Sequence, residues 1–158
     1  MEYPSEWKTV FTADNGKKVE FRPEQSGDTK MLWKMFSTLS EESLSNLIPP
    51  FTRERIEEWT SNIDHDEVLA IVAVIEEKNR QRIIGSASLK FNQQENSKHK
   101  AELGIAMHDD YQNMGIGTAL LKHLLEIARM KGLRKVFLLV NIDNNIAIHM
   151  YKKAGFKI

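Results

Sequence analysis

Cysteine is absent from all 158 residues, which excludes disulfides, a thiolate nucleophile and a cysteine metal site. Any group transfer must therefore avoid a cysteinyl intermediate. No apolar run approaches the roughly 20 residues that span a bilayer, and residues 1–10 lack the apolar core of a signal peptide. The resulting expectation is a soluble, cytoplasmic chain without a membrane partner. Net charge is missing too, because 22 Lys and Arg balance 22 Asp and Glu. Nucleic-acid-binding chains are ordinarily basic overall, so no nucleic-acid partner is expected. Neither an internal repeat nor a low-complexity segment is present. A hydrophobic fraction of 41% and a charged fraction of 28% are ordinary globular values. The length predicts one domain, 1–158, with a single core.

The zero total hides an uneven distribution. Between residues 41 and 77 acidic side chains such as Glu41, Glu54, Glu57, Glu58, Asp64 and Asp66 meet only Arg53 and Arg55. Beyond residue 117 Lys and Arg outnumber the acids, which suits a half that holds a polyphosphate, although solvated helix faces carry the same pattern.

Periodicity predicts an α/β chain. Short runs at 9–13 and 17–22, separated by Asp14-Asn15-Gly16, read as a hairpin. Pro23 ends the second strand, and Asp28 or Thr29 caps a helix bearing Met31, Leu32, Met35, Phe36 and Leu39 at helical spacing. A short helix at 40–47 stops before Pro49-Pro50, and Thr52 caps a further helix to residue 63. The apolar, β-branched run 68–75 predicts a strand covered on both faces. Residues 82–91 pair with it, with Gly85 marking a bulge. After a polar loop at 92–99, residues 101–107 form a third strand. An amphipathic helix to Met130 ends near Gly132, a strand follows at 135–140 parallel to 101–107, and Asn144 or Asn145 caps a last helix stopped by Gly155.

Residues 112–117, QNMGIG, carry the chemistry. Two glycines one residue apart allow a positive φ and a close backbone approach at the start of a helix, where unpaired amides form an anion cradle. A dinucleotide fingerprint requires a small residue where Leu120 stands, and a P-loop requires a lysine and a hydroxyl residue after its last glycine. Neither pattern fits; QxxGxG between a strand and a helix does.

In this pattern the chain resembles the GCN5-related N-acetyltransferase (GNAT) family. Residues 101–130, AELGIAMHDDYQNMGIGTALLKHLLEIARM, resemble the family's signature strand, pyrophosphate loop and helix. Residues 144–156, NNIAIHMYKKAGF, resemble its second motif, and FRPEQSGDTKMLWKMF resembles its opening strand and helix. The resemblance implies a single-domain GNAT-like fold, with a mixed, mostly antiparallel central sheet flanked by helices and a splayed strand pair forming an acetyl-CoA cleft. It implies acetyl-CoA as co-substrate, no metal, and transfer of an acetyl group to a small-molecule or peptide primary amine by direct attack in a ternary complex.

The resemblance places the backbone of Ile105, Ala106 and Met107 against the pantetheine arm. It assigns the pyrophosphate to the loop opened by Gln112, through the amides of Asn113, Met114, Gly115, Ile116, Gly117 and Thr118. Asn144 matches a coenzyme-contacting asparagine and also reads as a helix cap. Tyr151 matches the usual acid, and the Met107 amide matches an oxyanion donor. Glu102 is the first candidate for the base; another glutamate position used by relatives is Leu139 here. His108, Asp109 and Asp110 read as a turn and not as a metal site. The chain reaches Ile158 without the one or two strands with which relatives usually continue, so the expectation is a truncated chain, a strand supplied by another chain or an open sheet edge, and with it a homodimer or an aggregation-prone monomer. A non-catalytic acyl-CoA-binding module of the same fold is the second reading.

Overall fold

The computed structural model describes residues 3–47, 51–92, 94 and 99–158. The expected stop at Pro49-Pro50 and most of the 92–99 loop lie outside the described residues. Six strands, β1 (Thr9–Thr12), β2 (Lys18–Pro23), β3 (Val68–Glu77), β4 (Arg80–Phe91), β5 (Lys100–Met107) and β6 (Lys135–Phe137), form one sheet in sequence order. Every neighbouring pair is antiparallel except β5 with β6, which is parallel. The helices are α1 (Thr29–Ser37), α2 (Glu41–Ser45), α3 (Arg53–Ser61), α4 (Ile116–Met130) and α5 (Asn145–Lys153). The architecture is therefore mixed α/β with a mostly antiparallel sheet. No helix among the described residues is long and apolar enough to cross a membrane.

Strand alternation sorts the apolar residues of β3 onto both faces. Leu69, Ile71, Ala73 and Ile75 join Leu120, Leu121, Leu124 and Ile127 of α4 in one cluster. Val72 and Val74 join Leu32, Met35 and Phe36 of α1 and Ile56 of α3 in the other. The strand is buried because a helical layer covers each side. Pairing of β3 with β4 passes from Ala73–Gly85 to Val74–Ile83, so Ile84 is the extra residue of a bulge beside Gly85. Its carbonyl accepts the His108 amide at 2.8 Å.

Caps account for several boundaries. The Ser40 side chain accepts from the Ser43 amide at α2, Thr52 from Arg55 at α3, and Asn144 from Ala147 at α5. Asp28 occupies the N-cap position of α1 as expected, but its side chain makes no cap bond. Its carboxylate receives both ends of the Arg22 guanidinium at 2.8 Å, deep in the protein, and accepts the Gln25 amide as well. A charged hydrogen-bonded partner outcompetes a helix amide for those oxygens.

The last strand is also shorter than expected. It pairs Lys100 with Lys135, Ala101 with Val136 and Glu102 with Phe137, then stops. Residues 138–140 leave the sheet because no strand neighbours them there. Leu139 is 79% exposed as a result.

Removing the Asp28 carboxylate leaves Arg22 charged and buried without its partner. Asp28→Ala is therefore expected to lower unfolding stability by about 3–5 kcal/mol, measured as a lower urea midpoint at unchanged slope.

Candidate active site

The site begins where β5 and β6 part. β4 stays paired with β5 through Ile105, Ala106 and Met107, while the opposite edge of β5 has no strand partner beyond Glu102 among the described residues. That edge presents backbone groups to a strand-like ligand. At its end a one-turn helix, Asp109–Tyr111, leads into the loop. Asn113 has φ 62° and Gly115 φ 79°, both left-handed. They reverse the chain tightly enough for α4 to start at once.

The amides of residues 113–118 donate no hydrogen bond to any described residue, and the first intrahelical bond of α4 runs from Ala119 to the Gly115 carbonyl. Six successive donors at the positive end of a 15-residue helix form an anion-binding surface. The β1–β2 turn supports this loop from behind. The Asp14 amide donates to the Met114 carbonyl at 3.2 Å, and a Cβ on Gly115 would lie 3.5 Å from an Asp14 carboxylate oxygen. Met107 fits between two more glycines: a Cβ on Gly85 would approach its sulfur to 2.5 Å, and one on Gly117 its Cγ to 3.5 Å. A side chain at Gly85 would therefore force Met107 to shift, whereas the approach at Gly117 is an ordinary contact.

Gln112 turns inward. Its amide nitrogen donates to the Met107 carbonyl at 3.2 Å and to the Ser43 hydroxyl at 3.3 Å, joining the loop to β5 and α2. Asn144 caps α5. Tyr151 is buried against Phe156, with ring centroids 5.7 Å apart, and makes no hydrogen bond to a described residue. Burial pushes its phenol up to about 12, so it keeps its proton at any physiological pH. Glu102 is half-buried at the vertex of the split. Alternation along β5 puts it on the side of Ala106, which packs with the α1–α3 layer. Glu102 and Met107 are five residues apart, roughly 17 Å along the strand.

Three residues that read as a simple turn hold the site together. His108, only 4% exposed, contacts Thr38 at the end of α1 through Nε2 at 2.9 Å. The Thr38 hydroxyl donates to the Lys34 carbonyl at 2.6 Å, so it accepts from His108, whose proton sits on Nε2. Nδ1 then accepts from the Asp110 amide at 3.2 Å and from Arg82 at 3.3 Å. Asp109 accepts from the Ser40 amide and hydroxyl, both at 2.8 Å, and from the Ser43 hydroxyl at 2.5 Å. Arg82 lies over the Tyr111 ring and ion-pairs with Glu77 and Asp110. These contacts couple the α1–α2 corner to the anion loop. Their partners lie some 70 positions away, so no local pattern announces them. No group of three or more candidate metal ligands occurs among the described residues.

Desolvation would raise the Asp109 carboxyl, but the hydrogen bonds from Ser43 and Ser40 outweigh it and hold the group down at about 2. A depressed carboxyl contributes stability that is full above its unfolded value, about 3.9, and is lost as the pH falls through its folded one. The α2 contact should accordingly weaken between about pH 4 and pH 2. Amide resonances of Ser40 and Ser43 should move over that window in the wild type and not in Asp109→Asn.

Comparison with known proteins matches residues 32–156 to the model of the acetyltransferase (GNAT) family. The chain is similar to the probable N-acetyltransferase san of Drosophila melanogaster, with 32% identity over 77 residues, which are 48% of this chain and 42% of that protein. To the L-amino acid N-acetyltransferase AaaT of Escherichia coli it has 30% identity, covering 48% of each. The chain thus spans less than half the length of these two relatives. An acetyltransferase of Pseudomonas aeruginosa is 24% identical over 93% of this chain and 79% of its own. The solved GNAT domain of S. lividans PAT shares the fold at TM-score 0.85 and 22% identity, over 99% of this chain and 91% of that one.

Proposed function

The chain belongs to the GNAT family of acetyltransferases, and on that premise we propose that it transfers an acetyl group from acetyl-CoA to a primary amine by direct attack within a ternary complex. The observation that carries this reading is the run of six unbonded amides at 113–118, placed where an unpaired strand edge meets the start of α4. In this reading the amides hold the pyrophosphate, and the free edge at Ile105, Ala106 and Met107 pairs with the pantetheine arm. When bound, the coenzyme supplies an acetyl group activated as a thioester.

The residues at the cleft then divide the proton work. Glu102 at the vertex accepts the proton of the attacking amine, directly or through water. Tyr151 holds the proton destined for the leaving sulfur. A phenol at about 12 lies roughly 3–4 units above an ordinary thiol, so isolated donation would be uphill. For an ammonium acceptor Glu102 takes the first N–H proton before attack. As the thiolate leaves it takes the Tyr151 proton, and the second N–H proton of the new amide nitrogen passes to the tyrosine oxygen, so Tyr151 is not left as a phenolate. The acceptor is proposed to be cationic in solution because the 41–77 segment is acidic. Within it Glu57 is already ion-paired with Arg53 and largely exposed, leaving Glu54 and Glu58 as the freer charges of α3.

A mass-spectrometric screen of amines with labelled acetyl-CoA tests the activity and identifies the acceptor. Coenzyme binding without turnover on any amine would favour the non-catalytic acyl-CoA module. With an acceptor in hand, Tyr151→Phe should lower kcat about 100-fold or more while leaving coenzyme affinity nearly unchanged, measured by thiol release and calorimetry. Because the phenol stays protonated to about 12, the wild-type rate should show no basic fall below about pH 10 from its ionisation. Equal rates for the two proteins would remove Tyr151 from the mechanism.

A further inference from the structure

At the other end of β3 from the anion loop, the chain leaves β2 at Pro23 and turns Glu24 into a cavity of about 560 Å³. Tyr3, Ser26, Ser61, Asn62 and His65 are among its other walls. The Glu24 amide is fixed to the Ala70 carbonyl at 2.9 Å. Its side chain is a different matter: the residue is only 8% exposed, and no described residue gives the carboxyl a hydrogen bond. Its oxygens are not sealed like His65 Nδ1 but face the cavity, so donors and a countercharge can reach them only from what enters that space.

The side-chain cations nearby among the described residues are committed elsewhere. Arg22 spends its guanidinium on Asp28 and the Pro23 carbonyl. Lys131 pairs with Asp66 and lies over the rings of Trp7 and Phe91. His65 stands edge-on to Trp7, and its Nδ1 is sealed without a partner. Burial, with Lys131 and the chain's N-terminal charge adding to it against Asp64 and Asp66, lowers its affinity for a proton. None of the three is left to neutralise Glu24. A divalent metal is a poor candidate, since it requires several oxygen ligands and no group of three candidate ligands occurs among the described residues. Hydroxyl, amide and aromatic walls around one carboxylate instead suit an organic cation with a few hydrogen-bond donors.

We propose that this cavity binds a small organic ammonium ion, with Glu24 as the anionic anchor, at a site separate from the acetyl-transfer cleft. Glu24 lies on the β2 side of the sheet, three strand positions from β5, roughly 14 Å across the sheet. The ligand's N–H groups supply the bonds and charge that the protein withholds. Desolvation, reinforced by Asp28 and opposed by Arg22, raises the Glu24 carboxyl to about 7. Binding is therefore stronger at pH 8.5, where the group is ionised, than at pH 5.5, where it holds a proton.

Putrescine serves as the probe and butane-1,4-diol as its neutral isostere, each titrated without coenzyme while the His65 ring proton resonances are followed. The wild type should give a saturable shift with putrescine at pH 8.5, roughly 30-fold weaker affinity at pH 5.5, and no saturable shift with the diol. Glu24→Gln, which keeps the shape and removes the charge, should abolish the response. Its melting temperature at pH 8.5 should be no lower than that of the wild type, because a desolvated charge has been removed. Gly27→Leu gives an independent check, since a Cβ at this cavity-lining position meets nothing within 4 Å. It should fill the space and block putrescine with Glu24 intact. The proposal is overturned if the wild type shows no saturable shift, if the diol acts like the diamine, or if Glu24→Gln responds as the wild type does.

Discussion

Parallel strands β5 and β6 share only three residue pairs, the last being Glu102 with Phe137, and this short pairing constrains everything that follows it in space. Beyond the vertex each strand keeps backbone groups that a buried sheet would satisfy, so the gap suits an extended ligand. β5 nevertheless continues in register to Met107 because β4 pairs with it from Phe91 back to Gly85. One edge is therefore rigid and supported while the other is available. Gly85 lets Met107 lie close against β4, and Met107 also contacts the start of α4 at Gly117, which brings that helix to the mouth of the gap.

An anion loop is useful only if it is held still, since donors that reorganise on binding lose much of their advantage. Here the support comes from both layers of the molecule. The β1–β2 turn holds Met114 through Asp14. From the other face, His108, Asp109 and Gln112 bind Thr38, Ser40 and Ser43 at the α1–α2 corner. The α1–α2 corner thus shares its hydrogen bonds with the anion loop. Movement at one would be felt at the other through contacts, not through the length of the chain.

Four ionisable groups show how strongly environment governs chemistry in this fold. Asp109 is held down by donated hydrogen bonds. Glu24 is pushed up by burial without donors. Asp28 is as buried as Glu24 but keeps Arg22 beside it. Tyr151 is raised by desolvation alone. The contrast between Asp28 and Glu24, four residues apart, is a contrast in partners more than in depth. It marks the second carboxylate as the one that faces a cavity and not a protein donor.

Local physics made much of the architecture legible. Apolar period, caps at Ser40, Thr52 and Asn144, and glycines needing positive φ at 115, 132 and 155 identified the elements and the anion loop from neighbours a few residues apart. The 68–75 run read as doubly covered because only a strand between two layers tolerates that many apolar residues in succession. The same reasoning placed Asp28 at the start of α1 but gave its carboxylate to the helix when Arg22 across a turn takes it, and it extended β6 by three residues into a region where no strand neighbours it. It also missed His108 and Asp109 as braces and gave no hint that Glu24 would be buried. By itself the sequence determined the order of helices and strands, the loop at 112–117 and the family resemblance, because these rest on short-range patterns. Tertiary structure alone decided which edge of β5 stays open, how deeply Tyr151 is desolvated and which polar groups find partners, because each depends on residues brought together from distant parts of the chain.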